Sequence, residues 1–277
     1  MTGDSRPIGV FDSGMGGLTV LRALAARLPH ERFVYLGDTA RLPYGTKSAE
    51  TVQAYALQAT HLLLGEGVKM VVIACNTASA VALYLLQEAW DPVPVIGVIE
   101  PGAKAGVAAT KNKRIAVIAT EGTVKGGAYA RAIRRLMAEA DVVQQPCQVF
   151  VALAEEGWAD TPATLAAAKH YLGPLFGCAD APDTLVLGCT HFPVLTNAIR
   201  QTVGGEIALV DSAETTASAV ADALAARGLG AAGEENAGPA IRFFATDSPE
   251  RFARVGAIFL GRDIDEASVE LVDLRKA

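Results

Sequence analysis

Long apolar runs, excess positive charge and closely spaced cysteines are all missing from this chain, and each absence excludes something. The longest apolar stretches, such as Val68 to Cys75, fall far short of a membrane span. The amino terminus, MTGDSRPIGVFDSG, has no long apolar segment of the export type. The expectation is a cytoplasmic protein with no membrane partner. Lys and Arg number 24 against 30 Asp and Glu, a formal net charge of −6, and the cations are dispersed. No basic patch of the kind that grips a phosphate backbone is present, so nucleic acid is excluded as an expected partner. There are only four cysteines and no C-x-x-C pair. Without an export signal they read as reduced thiols rather than a disulfide framework, which makes their positions informative.

What is there is ordinary globular material: 277 residues, 51% of them hydrophobic and 19% charged, enough to bury one large core or two smaller ones. Short apolar runs alternate with longer Ala/Leu-rich helical stretches, the pattern of strand–helix units around a parallel sheet. The predicted class is α/β. The run Pro7-IGVF-Asp12 ends in a glycine-rich turn (Ser13 to Gly17), after which Leu18, Leu21, Leu24 and Leu28 recur at helical spacing. A second run, Arg114-IAVIA-Thr120, ends in a turn at Glu121-Gly122 and leads to a helix over Ala128 to Met137.

The likeness recurs. Lys69-MVVIA-Cys75 precedes the helical pattern Asn76-TASAVALYLLQ, and Asp183-TLVLG-Cys189 precedes Thr190-HFPVLTNAIRQ. Ile8 and Ile115 are 107 residues apart, and Cys75 and Cys189 are 114 apart, the signature of an internal duplication. Two similar, pseudosymmetric α/β domains with parallel-sheet cores are therefore expected. Residues 99–209 form one, and residues 1–98 together with 210–277 form the other, with a helix from Ala213 to Ala226 carrying the chain back. Residues 227–239 read as a Gly/Ala-rich loop. Open parallel sheets bind ligands beyond the carboxyl ends of their strands, where Asp12, Cys75, Thr120 and Cys189 all fall, so a cleft between the domains is the expected site.

A thiol needs help to act as a base, because a pKa of about 8.5 leaves little thiolate at neutral pH. A helix N-terminus supplies it through unpaired N–H groups and the macrodipole, with Asn76-Thr77 and Thr190 as capping candidates. Two alternatives stay open. Each cysteine is also a common buried hydrophobe, and Cys75, Cys189 and His191 offer zinc ligands. Cys147 and Cys178 lack the strand-to-helix setting and are given no role. The Asp12-SGMGG turn matches neither dinucleotide nor Walker A glycine spacing, and Asp12 would repel a phosphate.

Six strings taken together resemble the glutamate racemase family of the aspartate/glutamate racemase superfamily: Asp12-SGMGGLTV, Tyr35-LGDTARLPYG, Ala74-CNTAS, Thr120-EGTV, Ala154-EEG and Gly188-CTHFP. The resemblance implies an enzyme free of pyridoxal and metal that interconverts L- and D-glutamate and feeds D-glutamate to peptidoglycan. It implies that Cys75 and Cys189 flank the α-carbon as the two proton-transfer groups. Asp12 would assist near Cys75 and meet the substrate amino group with Ser13, and His191 would assist Cys189. Asn76, Thr77, Thr120 or Thr123, and Thr190 would hold carboxylates, the Tyr44-Gly45 turn would complete the pocket, and the cleft glutamate falls on Glu155, with Glu156 adjacent. Phe192 stands where the family usually has Tyr, and Gly126 where Ser is common. Few residues precede Ile8, so the precursor-responsive extension of some family members is not expected. An aspartate racemase, a two-lobed binding module and a zinc hydrolase are the competing functions. A homodimer is compatible with the sequence.

Overall fold

The computed structural model describes residues 3–231 and 239–275. In chain order the strands are β1 (Ile8–Asp12), β2 (Phe33–Gly37), β3 (Met70–Ile73), β4 (Val95–Gly97), β5 (Arg114–Ala119), β6 (Asp141–Pro146), β7 (Thr184–Gly188), β8 (Ala208–Asp211), β9 (Ile241–Ala245) and β10 (Val269–Leu271). The helices are α1 (Leu18–Arg27), α2 (Ala49–Gly65), α3 (Asn76–Ala89), α4 (Ile99–Ala109), α5 (Glu121–Gly126), α6 (Ala128–Leu136), α7 (Val149–Glu155), α8 (Pro162–Phe176), α9 (Thr196–Val203), α10 (Ser212–Arg227) and α11 (Pro249–Leu260). Among the described residues no helix is long and apolar enough to cross a membrane.

Two parallel sheets organise these elements. One has the order β10-β9-β2-β1-β3-β4 and the other β6-β5-β7-β8. The run β2-β1-β3-β4 repeats as β6-β5-β7-β8, strand for strand, so the likeness read between the runs at Ile8 and Ile115 is a likeness of topology. Ile8 pairs with Phe33 and Met70, and Ile115 with Val142 and Thr184.

Strands β1, β3 and β7 are buried along their whole length, as unbroken apolar runs must be when helices cover both faces of a sheet. Alternate side chains then serve different layers. Ile8, Val10, Met70 and Val72 join a core shared with α1, α4, α10 and the second sheet, whereas Phe11, Val71 and Ile73 join a separate cluster under α2 and α3. The larger core is continuous from Leu21 through Ala103 and Val220 to Val117 and Leu185, so the two sheets do not have independent interiors.

Several expectations need correction. Val210 and Asp211 pair with Val186 and Leu187 and belong to the second sheet, so the chain turns back only after Asp211, along α10. Glu121-Gly122 is not a simple turn but the start of α5, which Gly127 closes in the left-handed region (φ 62°) before α6 begins. After Cys189 the chain makes a 3-10 turn over Phe192–Leu195, with Phe192 N–H donating to the Cys189 carbonyl at 3.1 Å, and only then enters α9. Pro193 has no N–H to give and is tolerated in a first turn, so the helical spacing of Leu195, Ala198 and Ile199 begins later than it reads. Cys147 does sit between a strand and a helix, β6 and α7. Most of the loop expected over 227–239 lies outside the described residues, and Arg227 itself closes α10.

Candidate active site

Both sheets deliver their strand ends to one place. β1 ends at Asp12, which is 1% exposed, and the chain then turns through Ser13–Gly17. This turn is glycine-rich for a steric reason. A Cβ on Gly16 would overlap the His191 ring and the Thr190 hydroxyl, and one on Gly17 would come within 2.8 Å of the Asp12 carboxyl carbon. The first half is thereby pressed against the second.

Cys75 follows β3 and is itself the N-cap of α3. Its sulfur accepts from the Ala78 N–H at 3.4 Å and lies 3.6 Å from Ser13 Oγ. Asn76 and Thr77, expected as caps, form the first turn instead. Cys189 follows β7, and its Sγ lies 3.8 Å from His191 Nδ1. The imidazole continues through Nε2 to Glu155 Oε1 at 3.1 Å, and Glu155 Oε2 accepts from Arg251 at 2.8 Å. Glu155 is thus the glutamate joined to the site, while Glu156 is exposed.

Between the halves, the hydroxyls of Thr77, Thr120 and Thr123 form a closed triangle with sides of 3.0, 3.2 and 3.0 Å. Tyr129, from α6, donates its hydroxyl to Asn76 Oδ1 at 2.7 Å. Tyr44 donates to the buried Asp38, which also accepts from Arg41 Nε at 2.7 Å and Thr246 Oγ1 at 2.9 Å.

The enclosed cavity is about 30 Å³. Ser13, Tyr44, Gly45, Cys75, Asn76, Thr77, Thr120, Cys189, Thr190 and His191 line it, as do Pro43, Gln148 and Val151, which the sequence reading missed. Asp12, Thr123 and Glu155 sit one layer behind the wall. The much wider groove of about 570 Å³ between Arg41 and the Leu271–Arg275 segment contains no cysteine or histidine, so chemistry and not size singles out the smaller cavity. Among the described residues, no group of three or more His, Cys, Asp or Glu is placed to hold a metal ion.

Charge is unevenly distributed over this cavity. Burial pushes the Cys75 thiol up to about 12, and the nearby Asp12 charge adds to it; the Ala78 N–H and Ser13 hydroxyl pull the other way and lose. The expected helix-terminus activation is present at Cys75 but outweighed, because desolvation penalises an anion more than one cap favours it. Burial also raises Asp12, against the opposing effect of His191 and the N–H groups of Gly17, Gly14 and Ser13. At His191 burial opposes protonation, yet the hydrogen bonds to Cys189 and Glu155 outweigh it and lift the imidazole to about 10. Glu155 is held below its ordinary range, since the contacts with His191 and Arg251 overcome the burial penalty. Asp12 Oδ1 and Asn76 Nδ2 are buried with no hydrogen-bond partner among the described residues, one an acceptor and one a donor.

Two topologically equivalent α/β halves that bring one cysteine each to a shared polar cavity define the class, and the chain belongs to the Asp/Glu/Hydantoin racemase family, which it matches over residues 16–220. A glutamate racemase from Syntrophus aciditrophicus (strain SB) is 50% identical over 268 residues, covering 97% of each chain. Among solved structures, glutamate racemase isoform RacE1 from Bacillus anthracis superposes with a TM-score of 0.90 at 39% identity, covering 97% of this chain and 98% of that one. The Francisella tularensis glutamate racemase in complex with D-glutamate gives 0.90 at 36% identity, covering 99% of this chain and all of that one (100%).

Proposed function

We propose that this chain is a cofactor-independent glutamate racemase working through two cysteines. The observation that carries the proposal is the presence of Cys75 and Cys189, from matching strand ends of two matching sheets, on the wall of one cavity. Inverting a stereocentre with fixed bases needs one group for each face of the α-carbon, and a duplicated fold provides two.

In this scheme His191 is an imidazolium beside the Cys189 sulfur, and Cys75 rests as the thiol. One sulfur, as thiolate, takes the α-proton and becomes a thiol. The opposite thiol gives its proton to the other face of the carbanion and becomes a thiolate. The reverse reaction exchanges the roles. Asp12, with its unpartnered oxygen, meets the α-ammonium, and that cation offsets the Asp12 charge which adds to burial in raising the Cys75 thiol. Asn76, Thr77, Thr120 and Thr190 offer amide, hydroxyl and backbone donors to carboxylates, supported by Thr123 behind them, and preorganised donors are the main source of stabilisation for developing carbanion charge. Ser13, Tyr44 and Gly45 close the pocket. Glu155 orients His191. The cavity of about 30 Å³ is narrow for an amino acid, so in this scheme its lining adjusts when glutamate binds.

The reading extends to residues 1–98 with 212–277 as one domain and 99–211 as the other, to a cytoplasmic location and to a supply of D-glutamate for peptidoglycan. The test is a circular-dichroism assay of D- and L-glutamate and D- and L-aspartate with purified protein and no added cofactor. Loss of optical rotation is expected with both glutamates. Equal or greater kcat/KM with aspartate would replace the substrate assignment, and activity abolished by chelator and restored by zinc would replace the thiol mechanism.

A further inference from the structure

We infer that Arg251 is a positioning residue for the Cys189 half of the site, tying the His191–Glu155 pair to the opposite half of the molecule. The inference rests on the racemase reading and concerns a residue on a helix that none of the sequence motifs reaches.

Glu155 ends α7, which follows β6 of the second sheet, whereas Arg251 lies in the first turn of α11, between β9 and β10 of the first. Their contact at 2.8 Å therefore crosses from one half to the other. It extends a chain of contacts that starts at the Cys189 sulfur and passes through both nitrogens of His191 and both oxygens of Glu155. The same helix sends Phe259 edge-on against the His191 ring, with centroids 4.9 Å apart, and brings Ile258 to within 3.5 Å of where a Cβ on Gly157 would lie. α11 is thus seated on the end of α7, holding the imidazole by an apolar contact and its carboxylate partner by a charged one.

A carboxylate with a single partner is free to rotate, and it gives its whole charge to that partner. With Arg251 on its second oxygen, Glu155 is fixed in the plane that meets His191 Nε2 and shares its charge between two cations. The charged and titratable groups facing His191 are Asp12 from the β1 turn, Cys189 from the β7 loop, Glu155 from α7 and, through Glu155, Arg251 from α11. Arg251 is the only cation in that set besides His191 itself. Removing it leaves the imidazolium facing Asp12, Glu155 and the Cys189 sulfur with no second cation, so His191 keeps its proton to higher pH while Glu155 loses its second anchor.

The test follows the His191 ring by NMR titration, assigned with His191→Asn, and measures kcat and KM in both directions for wild type, Arg251→Lys, Arg251→Met and Arg251→Gln. For Met and Gln the expected result is an upward shift of about 0.5 pH unit in the His191 titration, the size of a half-exposed ion pair. A fall in kcat of roughly tenfold should accompany it, as misoriented catalytic groups cost that much or more, with a smaller change in KM. Lys should recover most of both. Wild-type titration and kcat in folded Met and Gln variants overturns the inference. So does an equal loss in all three variants with no shift, which would make Arg251 a packing residue. An inactive wild type sinks the racemase reading, and the titration then decides the Arg251 contact by itself.

Discussion

The hydroxyl of Thr77, in the first turn of α3, lies 3.0 Å from the hydroxyl of Thr120, at the end of β5, across the junction of the two sheets. Thr123 closes the triangle, and both Thr120 and Thr123 are buried. Three hydroxyls in a ring satisfy one another, each donating once and accepting once, and this leaves spare acceptor capacity but only redirected donors for a ligand. Because Thr77 and Thr120 line the cavity and Thr123 does not, their loss should be felt differently. Thr123→Val should destabilise by about 1–2 kcal/mol, the cost of leaving buried hydroxyls short of a partner, with KM for glutamate little changed. Thr77→Val should cost a similar amount and raise KM as well. Chemical denaturation beside steady-state kinetics separates the two, and an equal KM effect from both would mean that the triangle acts as a single unit.

Gly16 provides a steric test of how the halves meet. Any Cβ there overlaps His191 and Thr190, so Gly16→Ala should lower kcat and destabilise by about 1–3 kcal/mol, the usual range for overpacking. Gly65, at the end of α2, has nothing within 4 Å of a Cβ, and Gly65→Ala should stabilise by about 0.5 kcal/mol with wild-type activity. Thermal melts of the pair give opposite signs. A Gly16→Ala protein with normal turnover would show that the turn can move away from the imidazole without loss.

His191 makes stability depend on pH in the alkaline range. Its folded pKa, about 10, lies above the ordinary 6.5, so the protonated form favours the folded state. That contribution is complete below about pH 6.5 and is lost as the pH rises through 10. Urea midpoints of the wild type should therefore decline between those limits relative to His191→Asn. Asp12 has the same sign in a lower pH range, its protonated form favouring the folded state. Burial raises its pKa, so its ionised form costs stability at neutral pH, and Asp12→Asn should be more stable there and much less active. Parallel wild-type and His191→Asn curves would remove the imidazolium from the folded site.

Much of this was legible in sequence, and the remainder has identifiable causes. The runs at Ile8, Met70, Ile115 and Thr184 are read easily because strands covered on both faces leave an uninterrupted apolar signal. β10 is three residues with Glu270 and Leu271 exposed, too short and too wet to show a pattern. Arg251 and Gln148 reach the site only through the packing of α11 and α7, and neither belongs to a local motif. The ionisation of Cys75 is not legible from its helix alone, since the opposing effects are burial and an aspartate 63 positions earlier in the chain.

The four cysteines provide the decisive experiment, because their settings differ while their chemistry does not. Cys178 is exposed, and Cys75, Cys147 and Cys189 are buried. Iodoacetamide should alkylate Cys178 first without loss of activity, and Cys178→Ser and Cys147→Ser should both racemise normally. Cys75→Ala and Cys189→Ala should each abolish racemisation in both directions, because net inversion needs an acceptor on one face and a donor on the other whichever enantiomer is offered. Serine at either position should be nearly as damaging, since an uncharged hydroxyl of far higher pKa is a weak base even at a helix N-terminus. In D₂O, product formed by the wild type should carry solvent deuterium at the α-carbon, while recovered starting enantiomer gains little in early turnover, because the delivering thiol exchanges with water and the accepting one faces the substrate. A single shared base would return label to both. A folded Cys75→Ala or Cys189→Ala protein that still racemised glutamate at near the wild-type rate would show that the two thiols are not the paired bases of this site.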